Sequence, residues 1–234
     1  MESAASAVAA PSPAGPLARA AQASDDEVVA RVLAGELALF EILMRRYDQR
    51  LARVARAILG DDGDVDDVLQ DAWLAAYRHL AGFEHRARFS TWLTRIAANA
   101  AFDRRRRRAR SVPIDPAAAA GALSLAPADD PEQASAAREL AERLERAIDA
   151  LPAPYREAYV LRQVQGLDTS EAAACLALPP ATLKTRLHRA RALLRAALER
   201  DPDPIAPRAF PFAGARCARL VAAVLTRLRS VRAL

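Results

Sequence analysis

FEHRARFSTWLTRIAANAAFDRRRRR, residues Phe83 to Arg108, decides how the chain is read. Leu93, Ile96, Ala97 and Ala100 recur at three- and four-residue steps and predict the buried face of a helix, with Ser90 or Thr91 as its cap. Trp92 reads as packed into that face. What remains is an aromatic loop, the amide of Asn99 and five consecutive arginines. Arginines hold a nucleic-acid backbone, and aromatics beside an amide suit unstacked bases. A plain amphipathic helix ending in a solvated charge run has the same local pattern, so the neighbouring segments must decide.

Upstream, Ser24-Asp25-Asp26-Glu27 is a capping box that opens a short helix ending near Gly35. Phe40, Leu43, Tyr47, Leu51, Val54 and Ile58 form one apolar stripe on a helix from about Glu36 to Leu59. Gly60-Asp61-Asp62-Gly63 interrupts it. The next helix, about Asp64 to Leu80, buries Val65, Val68, Leu69, Trp73 and Tyr77 and turns Asp67, Gln70, Asp71 and Arg78 outward. The acidic run Asp61–Asp67 caps that helix and offers carboxylates to a basic protein surface. Four such helices close a small bundle.

Downstream, SVPIDPAAAAGALSLAPADDP over 111–131 is rich in Pro and Ala without periodicity, as expected of a flexible linker. A second unit over 132–200 begins with a helix whose stripe is Leu140, Leu144, Ile148 and Leu151. A helix from Pro154 to Gly166 follows. Asp168 and Glu171 form another capping box, Leu178-Pro179-Pro180 a tight turn, and the last helix runs from about Pro180 to Arg200. Leu183, Leu187, Ala190 and Leu194 face inward on it. Thr182, Lys184, Thr185, Arg186, His188 and Arg189 lie on the other side or its shoulders, a small, polar and basic face suited to a major groove. The order of short helix, turn and basic helix predicts a helix-turn-helix.

Residues 1–23 are Ala, Ser and Pro with almost no charge and read as a disordered tail. The extension 201–234 opens with a proline-rich segment. It closes in an amphipathic helix with Cys217, Leu220, Val221, Val224, Leu225 and Leu228 on one face.

The composition agrees with an all-α protein of two small helical domains. Hydrophobic residues are 52% but aromatics only 5%, and no stretch alternates long enough for a sheet. The formal net charge is +5, and of 34 basic residues only Lys184 is a lysine. Arginine favours bidentate phosphate or carboxylate contacts. Cys175 and Cys217 lack metal-ligand spacing; Cys175 reads as a buried thiol, and no disulfide is expected in a cytoplasmic chain. His79 and His85 read as exposed and loop residues. From Asp61, the twelfth position of a calcium loop would be Ala72 instead of Glu, so neither metal nor cofactor is expected. There is no nucleophile with a base, no phosphate loop, no signal peptide and no run long enough to span a membrane. An enzyme is therefore not expected. A helix-turn-helix regulator with an N-terminal ligand or dimerisation module explains 168–195 but leaves Phe83–Arg108 without a role.

DVDDVLQDAWLAAYRHL followed by FEHRARFSTWLTRIAANAAFDRRRRR resembles region 2 of the bacterial sigma-70 factors of the extracytoplasmic-function (ECF) group. ALPAPYREAYVLRQVQGLDTSEAAACLALPPATLKTRLHRARALLR resembles their region 4. The resemblance implies region 2 over 24–110 and region 4 over 132–200. It implies that Asp67, Gln70 and Asp71, with Trp73 supporting the helix, dock on the β′ clamp helices of core RNA polymerase, with the β flap as a further contact. Phe83, Glu84, His85, Arg86, Arg88 and Asn99 would take a flipped base of the minus-ten element, and Arg95, Arg104 and Arg105 would hold its strand. Thr182, Lys184, Thr185, Arg186, His188 and Arg189 would engage the minus-thirty-five element. An anti-sigma factor is expected as a further partner. Three departures stand out: the family often has glycine where this chain has Glu84-His85-Arg86, and again at Ala177 and at Ala181.

Overall fold

The computed structural model describes residues 22–111, 143–200 and 214–232, and all its regular elements are helical. Most of the expected tail 1–23 and of the linker 111–131, the start of the second unit (132–142), and 201–213 lie outside the described residues.

Helix α1 (Asp25–Leu33) begins at the expected capping box: Glu27 N donates to Ser24 Oγ at 3.2 Å, and Ser24 N to Glu27 Oε2 at 2.7 Å. A 3-10 turn over Leu37–Leu39 replaces the first residues of the long helix expected from Glu36, and α2 spans Phe40–Leu59. The chain leaves α2 through Gly60 at φ 87°, a left-handed conformation that a side chain resists. Helix α3 is Val65–His79, and α4 is Phe89–Ser111. α4 starts at Phe89, ahead of the expected Ser90 or Thr91 cap. The Arg88 carbonyl already accepts from the amides of Thr91 (2.9 Å) and Trp92 (3.1 Å).

α2, α3 and α4 pack mutually and α1 closes the bundle. Phe40 meets Trp73 edge-on at 5.5 Å and Tyr77 at 5.4 Å. Trp73 is 0% exposed, and its Nε1 donates to Asp48 Oδ1 at 2.7 Å. The indole donor is thereby satisfied without water, as a buried donor requires. Trp92, expected in the core, is only half-buried, against Phe83 and Phe89.

The second unit comprises α5 (143–149), α6 (Ala153–Tyr159), a π-helical turn (Val160–Val164), α7 (Thr169–Cys175) and α8 (Pro180–Arg200). The capping box at Asp168 forms as expected, with Glu171 N donating to Asp168 Oδ1 at 2.8 Å. The helix expected up to Gly166 changes at Val160: Gln165 N reaches back five residues to Val160 O at 2.8 Å. Between α7 and α8, Ala177 adopts φ 52°. Leu183, Ala190 and Leu194 are buried, and Leu187 is half-buried.

The second unit rests on the first. Ala57 of α2 shares a cluster with Ile148, Leu151, Val160, Ala190 and Leu194. Arg156, half-buried, donates from Nε to Ala57 O at 2.9 Å and from Nη1 to Asp149 O and Leu151 O. Burial lowers its pKa, and two nearby carboxylates oppose that. Helix α9 (Ala215–Arg232) lies on α2 and α3, with its six expected apolar residues buried.

Candidate nucleic-acid and polymerase interface

The outward edge of α3 carries Asp67 and Asp71 exposed and Gln70 half-buried, the arrangement expected from the helical repeat. Trp73 differs. Fully buried and bonded to Asp48, it cannot touch a partner and acts by fixing α3 against α2. Asp48 itself is 1% exposed; burial raises its pKa to about 6, against the lowering pull of hydrogen bonds from Cys217 and Trp73 and of the Arg45 charge.

The loop before α4 is built on aromatic contacts. Phe83 lies 5.4 Å from Phe89 and 5.3 Å from Trp92, and Tyr47 backs Phe89 at 5.7 Å. This cluster holds the loop base, so Glu84, His85, Arg86 and Arg88 project into solvent. Arg86 Nε pairs with Glu84 at 2.6 Å, and His85 Nδ1 stands 3.0 Å from Asp26. His85 adopts φ 55°, the left-handed conformation that glycine takes without strain.

Two clefts flank α4. Phe83, Glu84, Arg86, Trp92 and Arg95 line one, whose far wall is α7 through Ser170, Glu171, Ala174 and Cys175. Asn99 and Arg104 line the other, with Asp71, Arg78, His79 and Arg107. The expected base-capture residues are thus divided: Phe83, Glu84 and Arg86 line the first cleft with Arg95, Asn99 lies in the second one turn on, and His85 and Arg88 line a further hollow beside Asp26 and Tyr47. Arg107 belongs to the arginine run expected to hold a backbone, whereas Arg78 and His79 were not expected in the site. Arg78 and His79 end α3, and only the packing of α3 on α4 brings them beside Asn99.

The arginine run is not simply solvated. Arg104 bonds Asp64 at 2.6 Å and Asp67 at 3.3 Å, lowering the Asp64 pKa. Arg108 pairs with Asp61 and Arg106 with Asp103. Arg105 turns away from the clefts to Glu157 of the second unit and to Ile58 O at 3.1 Å. The acidic run expected to face a basic partner therefore meets, in large part, arginines of its own chain.

On α8, Lys184, Thr185, His188 and Arg189 are exposed and Thr182 and Arg186 half-buried, forming the basic outer surface expected of a recognition helix. The Thr185 hydroxyl donates to Ala181 O at 3.1 Å. Ala181 is an ordinary helical residue, so the glycine common there answers no backbone need of this chain. Among the described residues no three potential metal ligands come together, and no helix is long and apolar enough to cross a membrane.

The family model described as Sigma-70 region 2 matches residues 43–111, and that described as Sigma-70, region 4 matches 141–194. The ECF RNA polymerase sigma factor SigM of Mycobacterium tuberculosis (strain ATCC 25618 / H37Rv) is 37% identical over 171 residues, 73% of this chain and 83% of that protein. The ECF RNA polymerase sigma-E factor of Escherichia coli (strain K12) is 35% identical over 176 residues, 73% of this chain and 92% of that protein. The sigma factor RpoE of Bartonella quintana, solved in complex with the anti-sigma factor NepR, shares the fold at a TM-score of 0.53 and 24% identity, covering 73% of this chain and 99% of that one. With both halves of the interface matched in order by the two sigma regions, the chain belongs to the ECF group of sigma-70 factors, the subunits that direct bacterial RNA polymerase to promoters.

Proposed function

We propose that this sigma factor divides its work among three surfaces. Asp67, Gln70 and Asp71 meet the β′ clamp helices of core polymerase, with Trp73 holding α3 in place from beneath. Phe83, Glu84, His85, Arg86, Arg88 and Asn99 receive and read an unpaired minus-ten base, and Arg95, Arg104 and Arg105 hold the strand. Thr182, Lys184, Thr185, Arg186, His188 and Arg189 engage the minus-thirty-five duplex, while the second unit meets the β flap. The observation that carries this reading is the aromatic-based loop of Phe83, Phe89 and Trp92, opening onto a cleft beside Arg95 and followed one helical turn later by Asn99. An aromatic wall supplies stacking for a base taken out of the duplex, and an amide supplies donor and acceptor for its edge.

The protein does no chemistry on this reading. It places polymerase and stabilises the opened strand, and polymerase forms the bonds. It works in the cytoplasm, and an anti-sigma factor holds it in reserve, as NepR binds RpoE of Bartonella quintana. Asn99→Ala tests the base-capture role: open-complex formation falls while core binding is kept. Equal loss of both, measured by permanganate footprinting and by core-binding titration, would count against it.

A further inference from the structure

α9 lies outside both sigma family matches, which end at 111 and 194. Its position on region 2 is nevertheless specific. Leu220, Val221, Val224, Leu225 and Leu228 are at most 6% exposed and belong to the same apolar cluster as Met44, Leu69 and Trp73. In its first turn Arg216 Nε meets Asp66 Oδ1 at 2.7 Å, and Cys217 Sγ donates to Asp48 Oδ2 at 2.8 Å. Apolar burial, an ion pair and a buried hydrogen bond thus set one register.

That register runs beside the polymerase-docking edge. Asp66, held by α9, is one turn from Gln70 on the same flank of α3. A helix with side chains is about 10–12 Å across, so a partner helix laid along Gln70 meets the body of α9. The outer surface of α9 exposes Arg219, Arg227 and Arg229. A basic helix therefore already stands on the Asp66–Gln70 side of the edge that a polymerase helix has to approach. The Trp73–Asp48 bond joins α2 to α3 without using α9. Region 2 keeps that tie when α9 departs.

We propose that α9 is a cover docked in cis on the polymerase-binding flank of region 2, which core polymerase must displace. This rests on the docking role assigned above to Asp67, Gln70 and Asp71.

The test uses full-length protein carrying Val224→Asp, which places a carboxylate at a fully buried position of α9, or Arg216→Glu, which turns the Asp66 ion pair into repulsion. Hydrogen exchange over Cys217–Leu228 reports release of α9, and titration with core polymerase reports affinity. A cover in place nine times in ten lowers apparent affinity about tenfold, so Val224→Asp tightens core binding by about that factor and Arg216→Glu by less. Unchanged or weaker core binding in a variant whose α9 exchanges freely overturns the proposal. Should Val224→Asp not fold, Arg216→Glu decides by the same criterion. Asp71→Arg in the same titration separates the two claims: unimpaired core binding there refutes the docking edge itself, whatever α9 does.

Discussion

Asp48 makes the stability of region 2 depend on pH in a direction opposite to that of a salt-bridged carboxylate. It sits beneath α9, 1% exposed, accepting from Trp73 at 2.7 Å and from the Cys217 thiol at 2.8 Å. Burial outweighs those bonds and the Arg45 charge and raises its pKa to about 6. The Cys217 thiol, pushed up to about 12 first by burial and then by the Asp48 bond, stays protonated and remains a donor. Since the folded pKa exceeds the usual value near ~3.9, the folded state holds this proton where the unfolded state has released it. Its contribution is therefore complete below about pH 4 and is lost as pH rises through about 6. A gap of about two units at about 1.36 kcal/mol each gives roughly 3 kcal/mol, of which about 2 kcal/mol falls between about pH 4.5 and 7.5. Asp48→Asn removes the titration while its amide oxygen still accepts from Trp73. Urea unfolding followed by the emission of Trp73 and Trp92, both within region 2, measures the two proteins across that range. The expected outcome is that wild type loses about 2 kcal/mol relative to Asp48→Asn as pH rises. Parallel pH profiles would refute the argument, because every other carboxylate is common to both proteins.

Other expectations concern single contacts. Ala177→Gly removes a side chain from a left-handed position and raises the stability of the helix-turn-helix by about 0.5–1 kcal/mol, read as a higher urea midpoint; a lower midpoint contradicts the strain. Lys184→Ala or Arg189→Ala weakens binding to a minus-thirty-five duplex by about 1–3 kcal/mol if the lost contact is to a base, measured by fluorescence anisotropy; unchanged affinity removes that residue from the interface. Arg105→Ala strips Glu157, whose side chain is 7% exposed, of its ion-pair partner and destabilises the protein by about 1–3 kcal/mol. Adding Glu157→Gln recovers part of that loss, and no recovery means that the cost lies in the Ile58 carbonyl contact instead.

The helices were legible because each buries one stripe, and a 3.6-residue repeat reports a stripe wherever the partner lies. Phe40 to Ile58 on α2 and Cys217 to Leu228 on α9 were both readable in this way. Capping boxes at Ser24 and Asp168 were readable because their bonds span three residues. Depth was not legible. Trp73 and Trp92 each sit on an apolar stripe, yet Trp73 is sealed between Phe40 and Asp48, while Trp92 packs on Phe83 and Phe89 and leaves one side open to a cleft. Only contacts remote in the chain distinguish them. Register shifts such as the π turn at Val160 leave the apolar pattern intact and are equally silent in a one-dimensional reading.

Charge shows the same division between what a pattern carries and what packing adds. An acidic run at Asp61–Asp67 and a basic run at Arg104–Arg108 suggest two partners, one basic and one acidic. In the folded chain the runs instead neutralise one another: Arg104 reaches Asp64 and Asp67, and Arg108 reaches Asp61. Arg105 is held by Glu157 of region 4. Arg105 bonds both Glu157 and Ile58 O through Nη1, so a phosphate that drew this guanidinium away would loosen a tie between the two regions. The cleft of Phe83, Trp92 and Arg95 leads to the same coupling by another route, since α7 of region 4 forms its far wall. On the roles proposed above, entry of a base into that cleft would be linked to movement of region 4 through this shared wall. On the same proposal, DNA that engages α8 and draws region 4 away would also free Arg105 from Glu157 and open one wall of the cleft beside Phe83 and Trp92.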